Sequence, residues 1–190
     1  MVPINNWGGS RAGGRHQGAL SVVPPTVDPV TDSRPLAVFD LDNTLADTAH
    51  RQRFLQGAQR DWAAFFAAAP EDPPLAEGVA LAVSSAEECE VVYLTGRPER
   101  CRRDTLEWLE RHGLPEGRVH MRRNDDRRPA RQTKLELLRK FARGREVRVL
   151  VDDDELVCAD AEKAGFRVVV ARWTTPSEAL REAQEGEGRT

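Results

Sequence analysis

"LAVFDLDNTLADT", residues 36–48, runs four apolar residues straight into two aspartates separated by one leucine, with a threonine two positions on. The apolar part does not alternate, which is the pattern of a strand buried on both faces of a parallel sheet. Similar short runs recur at "EVVYL" 90–94, "RVHM" 118–121, "VRVLV" 147–151 and "RVVVA" 167–171. Helical patterns fall between them, over roughly 48–69, 75–87, 99–112, 132–142 and 154–164, with Gly113 and Gly165 where a helix end needs a left-handed residue. Strand alternating with helix predicts an α/β fold, a doubly wound (Rossmann-like) parallel sheet of about five strands. In such folds ligands bind at the carboxyl ends of the strands. The residues just past those ends are polar: "DLDNT" after the first strand, "TGR" after the second, "DDD" after the fourth.

These residues suit phosphoryl chemistry. A carboxylate such as Asp40 can attack phosphorus and split one difficult transfer into two easier steps. A second, Asp42, can protonate the leaving oxygen and then take a proton from the attacking water. Two free carboxylates so close repel each other unless a cation or proton intervenes. Mg²⁺ resolves this, since it prefers oxygen ligands and neutralises charge on nucleophile and phosphate alike. Asp152 and Asp153 of "VLVDDDE" supply the other carboxylates. Thr95 can hydrogen-bond a phosphoryl oxygen, and Lys134 can neutralise the acyl-phosphate and its transition state.

On these motifs the chain resembles the haloacid dehalogenase (HAD) superfamily of phosphotransferases over about residues 35–172. The resemblance implies Asp40 as nucleophile, Asp42 as general acid/base with its backbone carbonyl on the metal, Thr95 and Lys134 as the second and third motifs, and Asp152 with Asp153 as the fourth. Asp42 separates the chain from family dehalogenases, which lack that second acid, and a phosphatase that hydrolyses phosphomonoesters is the reaction implied. "ADTAHRQRFL", "DWAAFFAAAPEDPP", "LTGRPERCRRDTLEWLERHGL", "MRRNDDRRPARQTKLELL" and "VLVDDDELVCADAEKAGFRVV" are further similar to the phosphatase domain of phage-type polynucleotide kinase/3′-phosphatases. That similarity implies polynucleotide 3′-phosphate ends as substrate and Arg97, Arg122 and Arg128 as substrate-binding residues. Two departures stand out: Ala130 where the group often has Asp, and Asp154 where it has Arg. No GxxxxGK[ST] is present, so 5′-kinase activity is expected from another chain. A mononucleotide or small-molecule phosphatase is the alternative reading, and a non-catalytic phosphate- or partner-binding module the second.

Composition sets the frame around the motifs. The 190 residues suffice for one domain with a real core. The expected division is a disordered leader over 1–34, rich in Gly, Pro, Ser and Asn, a phosphatase domain over 35–174, and a tail over 175–190. The intervals between motifs leave no room for a large cap, so an open site is expected. Net charge is −3, yet residues 97–145 carry 16 Lys or Arg against 8 Asp or Glu. Such a stretch can track a phosphate backbone or can be solvated helix face. Cys89, Cys101 and Cys158 form no disulfide or zinc pattern, and no apolar run suits a membrane span or signal peptide. A cytoplasmic protein is expected. Several residues invite ordinary roles. Trp62, Phe65 and Phe66 share a helix face and suit packing, as do Trp108, Leu106 and Leu109, and His120 reads as structural. His50 is left open between a phosphate and the surface. Asp47 is a helix cap and Thr44 a loop tie through its hydroxyl.

Overall fold

A computed structural model describes residues 34–56, 59–175, 180 and 182. The leader expected over 1–34 and the tail over 175–190 lie outside the described residues, apart from Arg34, Thr175, Leu180 and Glu182. Five strands, β1 (Leu36–Phe39), β2 (Glu90–Pro98), β3 (Gly117–Arg122), β4 (Val147–Asp152) and β5 (Val168–Val170), form one all-parallel sheet in the order β3-β2-β1-β4-β5. The chain starts in the middle, builds outward through β2 and β3, then crosses β1 to lay down β4 and β5. The crevice of such a sheet opens where the winding reverses, at the carboxyl end of β1 between β2 and β4.

Among the described residues the sheet is covered by α1 (Trp62–Ala67), α2 (Ala76–Ser85), α3 (Arg102–Arg111), α4 (Ala130–Ala142) and α5 (Glu155–Lys163). Successive strand residues face opposite sides. Ala37 and Phe39 of β1 therefore join Val91, Tyr93 and Val151 against Ala82 of α2 and Trp108 and Leu109 of α3. Leu36 and Val38 join Val92, Leu94 and Leu150 against Leu138 of α4 and Val157 and Ala161 of α5. Each fully buried aliphatic or aromatic side chain contributes about 1.5–3 kcal/mol, against less than about 1 for an exposed ion pair, so these two layers hold the sheet. A third cluster, around Leu55, Trp62, Phe65 and Phe66, sits beside Cys101 and Met121.

The single helix expected over 48–69 is instead a 3-10 turn, Ala49–Leu55, followed by the short α1. Asp61 breaks it by capping α1, its carboxylate accepting from Ala64 N at 2.9 Å. Asp47 accepts from Ala49 N at 2.9 Å, but it lies one residue before Thr48, which takes the cap position of the 3-10 turn without a side-chain bond. Gly113 and Gly165 take φ of +65° and +90°. Leu106 differs from its expected packing role, being 44% exposed while Trp108 is fully buried. Between Asp42 and Thr95 lie two 3-10 turns, α1, α2 and the start of β2, and between Arg97 and Lys134 a further 3-10 turn, α3, β3, a loop and the start of α4, so no large cap exists among the described residues. No helix among them is long and apolar enough to cross a membrane.

Candidate active site

β1 ends at Phe39 and delivers Asp40 into the crevice, its backbone N donating to Val151 O of β4 at 2.9 Å. The chain then turns sharply: Leu41 O accepts from the N–H groups of Thr44, Leu45 and Ala46, and Asn43 takes a left-handed φ of 59°. Asn43 tolerates that backbone because its short side chain bonds locally, here with Oδ1 accepting from Thr48 Oγ1 at 2.6 Å. Thr44 corrects its expected role, for its buried hydroxyl has no hydrogen-bond partner. Its carbonyl makes the tie, accepting from Trp173 Nε1 at 2.9 Å. Gly78 of α2 lies so close to that carbonyl that a Cβ there would fall 2.0 Å from the oxygen.

Two groups of charges then separate. On the β4 side, Lys134 of α4 donates to Asp40 Oδ1 at 2.8 Å and to Asp152 Oδ2 at 2.7 Å. Ligand oxygens of Asp40, Asp152 and Asp153 lie within 4.8 Å of one another, and Asp153 Oδ1 is buried without a hydrogen-bond partner. Burial pushes the Asp40 carboxyl up to about 7; Lys134 opposes the shift, while Asp152 and Asp42 add to it. Burial and the neighbouring carboxylates of Asp40 and Asp152 raise Asp153 as well. Lys134 is buried too, yet the carboxylates of Asp152 and Asp40 hold it firmly protonated.

On the β2 side, Asp42 Oδ1 accepts from Arg51 Nη2 at 2.8 Å and from Arg97 Nε at 2.7 Å. Both arginines are braced by Asp72, whose oxygens accept from Arg51 Nε at 2.7 Å and from Arg97 Nη2 at 2.8 Å. Asp72 is itself held from behind, its backbone carbonyl accepting from Trp108 Nε1 at 2.8 Å. His50 Nε2 completes the cluster 2.9 Å from Asp72 Oδ1, from an exposed position at its edge. Phe65 lies 4.1 Å beneath the Arg51 guanidinium. Burial alone would raise Asp42, but the two guanidiniums outweigh it and hold the carboxyl below its ordinary value.

The charge balance of the two sides differs. Asp42 and Asp72 face Arg51 and Arg97, two against two. Among the described residues Asp40, Asp152 and Asp153 face Lys134 alone, an excess of two carboxyl groups over cations in a buried setting. A divalent cation on hard oxygen ligands fits that deficit and gives the orphaned Asp153 Oδ1 a partner. Oδ1 of Asp42, by contrast, is committed to the two arginines, while its Oδ2 is buried without a hydrogen-bond partner.

The residues expected at the substrate are distributed unevenly. Thr95, Lys134, Arg122 and Arg128 line one cleft of about 190 Å³. Thr95 Oγ1 accepts from Arg97 N at 3.2 Å, which fixes its rotamer at the strand end. Arg97 is 1% exposed and its guanidinium is turned to Asp42 and Asp72. Arg122 is mostly buried and donates to Arg128 O at 2.6 Å. Arg128 is exposed, forked onto Asp126 and Glu136. The two departures have local explanations. Ala130 is the buried first residue of α4. Asp154 caps α5, accepting from Leu156 N and Val157 N, and its own N–H donates to Asp152 Oδ1 at 3.0 Å. Sequence reasoning gave no role to Arg51 or Asp72. Arg51 is one of two arginines in "AHRQRFL", and Asp72 in "PEDPP" reads as a turn; neither carries a spacing signal.

Comparison with known proteins agrees with this geometry. Residues 35–172 match the family model of the polynucleotide kinase PNKP phosphatase domain. Among solved structures, Pnkp1 in a Pnkp1/Rnl/Hen1 RNA repair complex superimposes with a TM-score of 0.61 at 21% identity, covering 78% of this chain and 48% of that one. The chain thus spans about half the length of that relative. The class C acid phosphatase of Bacillus anthracis superimposes with a TM-score of 0.58 at 16% identity, over 82% of this chain and 72% of that one. A haloacid dehalogenase-like hydrolase of Streptococcus pneumoniae, SP0104, gives 0.52 at 13% identity, over 81% and 92%. At these identities the likeness is one of fold. No curated protein matches the sequence closely enough to be compared. With motifs, topology and family model in accord, the chain belongs to the family of the polynucleotide kinase PNKP phosphatase domain, within the haloacid dehalogenase superfamily.

Proposed function

We propose that the protein is a Mg²⁺-dependent phosphomonoesterase that works through an aspartyl-phosphate and acts on polynucleotide 3′-phosphate ends. The observation that carries this reading is the division of the strand-end aspartates into a charge-deficient trio and a charge-balanced pair. Asp40 is the nucleophile: its oxygen bonds to phosphorus as the bond to the leaving 3′ oxygen breaks. Asp42, which the two guanidiniums hold ionised before substrate binds, must take up a proton to protonate that oxygen, and it later takes one from the water that attacks phosphorus, which releases phosphate and restores the Asp40 carboxylate. Oδ1 of Asp42 is tied to both arginines while Oδ2 is buried and unpartnered, so Oδ2 is the oxygen free to meet the leaving group. Lys134 neutralises the acyl-phosphate, and Thr95 with Arg122 and Arg128 holds the phosphoryl and nucleotide oxygens from the cleft wall. Asp40, Asp152, Asp153 and the backbone carbonyl of Asp42 would hold the Mg²⁺, which supplies charge neutralisation for nucleophile and phosphate.

The family match and the basic elements beside the cleft support a polynucleotide end over a small metabolite, and the likeness to Pnkp1 supports a setting of RNA repair. The test is phosphate release from a short oligonucleotide with a 3′-phosphate, with Mg²⁺ and with chelator, beside the mononucleotide 3′-phosphate and a 5′-phosphate control. Metal-dependent release strongest on the oligonucleotide 3′ end is expected. Faster release from mononucleotides would overturn the substrate, and binding without turnover on any substrate would overturn the reaction.

A further inference from the structure

Beside the larger cleft lies a second hollow of about 40 Å³, between Phe66 at the end of α1, the last residues of β2 and the loop from β3 to α4. The two adjoin, sharing Arg122, Arg123 and Asp126 in their linings. Arg100 and Arg127 line only the smaller one. Their state is unlike that of the surrounding arginines. Arg102, Arg118, Arg123, Arg128 and Arg131 each hold a carboxylate, from Glu99, Glu90, Asp125, Asp126 and Asp160 respectively. Arg100 and Arg127 are exposed and meet no carboxylate among the described residues. Arg100 is nevertheless positioned: its backbone N donates to Asn124 Oδ1 at 3.0 Å, and its guanidinium stands 5.3 Å from the Phe66 ring centroid.

Four arginines against one aspartate line this hollow, so it presents net positive charge to a small anion, and its volume is too small to enclose a nucleobase. We propose that it is a subsite for an internucleotide phosphodiester, the one 5′ of the terminal nucleotide in a single-stranded polynucleotide whose 3′-phosphate occupies the larger cleft. The inference rests on the phosphatase reading above and adds what makes a polymer better bound than a monomer. Arg100, just past β2, and Arg127, in the loop from β3 to α4, hold the diester between them, while Arg122 lines both clefts and sets the register between the two phosphates.

The test compares mononucleotide and trinucleotide 3′-phosphates, ribo and deoxy, on the whole chain and on an R100A/R127A variant. Wild type is expected to show a KM roughly tenfold lower for the trinucleotide. The variant is expected to lose that gain with mononucleotide kinetics unchanged. Its trinucleotide KM should also lose about 0.7 from the log–log slope on salt, one phosphate's share for a single strand. An R100K/R127K variant should retain most of the gain. Equal KM for both lengths in wild type, or an equal loss on both in the variant, overturns the subsite while turnover of the mononucleotide leaves the phosphatase reading standing. Should no substrate turn over, equilibrium binding of the same two ligands to wild type and R100A/R127A still decides the subsite, by the presence or absence of the same tenfold length preference.

Discussion

Asp40 and Asp42 leave the same strand two residues apart, and the molecule treats them oppositely. Asp40 looks toward β4, where three carboxylates share one lysine and burial lifts its carboxyl to about 7. Asp42 looks toward β2, where two guanidiniums on a common aspartate hold its carboxyl low. The first setting is short of positive charge and the second is balanced. Burial without a cation raises the acid that must be ionised to attack, so a cation among Asp40, Asp152 and Asp153 is what would ready Asp40 as a nucleophile. The first side is the one whose carboxylates could hold a metal, and the second is the one held rigid by paired charges.

The sharpest way to break this contrast is D40N, which removes the attacking oxygen's charge while leaving the Asp42 side untouched; loss of phosphatase activity on the order of 10⁴-fold is expected. If D40N keeps full activity, the division of labour is wrong. Next comes D72N, far from the phosphorus but central to the arginine pair. Removing one partner of a buried ionic network costs about 3 kcal/mol, and slack in Asp42 should lower kcat by about 10²-fold. Denaturant melts and kinetics on the same protein check both numbers, with KM for the oligonucleotide expected to stay near wild type. Added Mg²⁺ sharpens the contrast from the other side. At a hundredfold over Kd it should stabilise wild type and D72N alike by about 2.7 kcal/mol, and D153N by much less.

Smaller effects test the frame. G78A drives a methyl into the Thr44 carbonyl; α2 must shift, at a cost of about 1–3 kcal/mol measurable as a lowered Tm. Least is expected of the exposed Asp126–Arg128 pair. Hydrogen bonds from Arg128 hold Asp126 down at about 2. A depressed carboxyl stabilises the fold above its unfolded value near 4 and loses that contribution as pH falls through the folded one. The difference between wild type and D126N should therefore stay under about 1 kcal/mol at neutral pH and vanish as pH approaches 2.

Much of this was legible before any coordinates. Unbroken apolar runs announce buried parallel strands, and all five appear within a few residues of where periodicity puts them. Lys134 and Asp152 could be paired with Asp40 because each sits at a strand end or helix start that a doubly wound sheet brings to one edge. The single helix expected over 48–69 failed because Asp61 caps a new helix where composition alone still reads as helical. The family resemblance implies that Arg97 helps to hold the phosphate or the neighbouring nucleotide, whereas the guanidinium here meets Asp42 and Asp72. Asp154 looked like a charge reversal beside the site and is the cap of α5.

What the sequence determined by itself is the order of strands and helices and the identity of the strand-end acids, since hydrophobic period and local turn chemistry act over a few residues. What only the tertiary structure decided is the company those acids keep. Asp72 lies 30 residues past Asp42, and Arg97 another 25 beyond that. They meet because Trp108, from α3, fixes the Asp72 backbone under the crevice. Pairing among buried charges depends on three-dimensional distance and on how much water is excluded, and neither is a function of spacing along the chain.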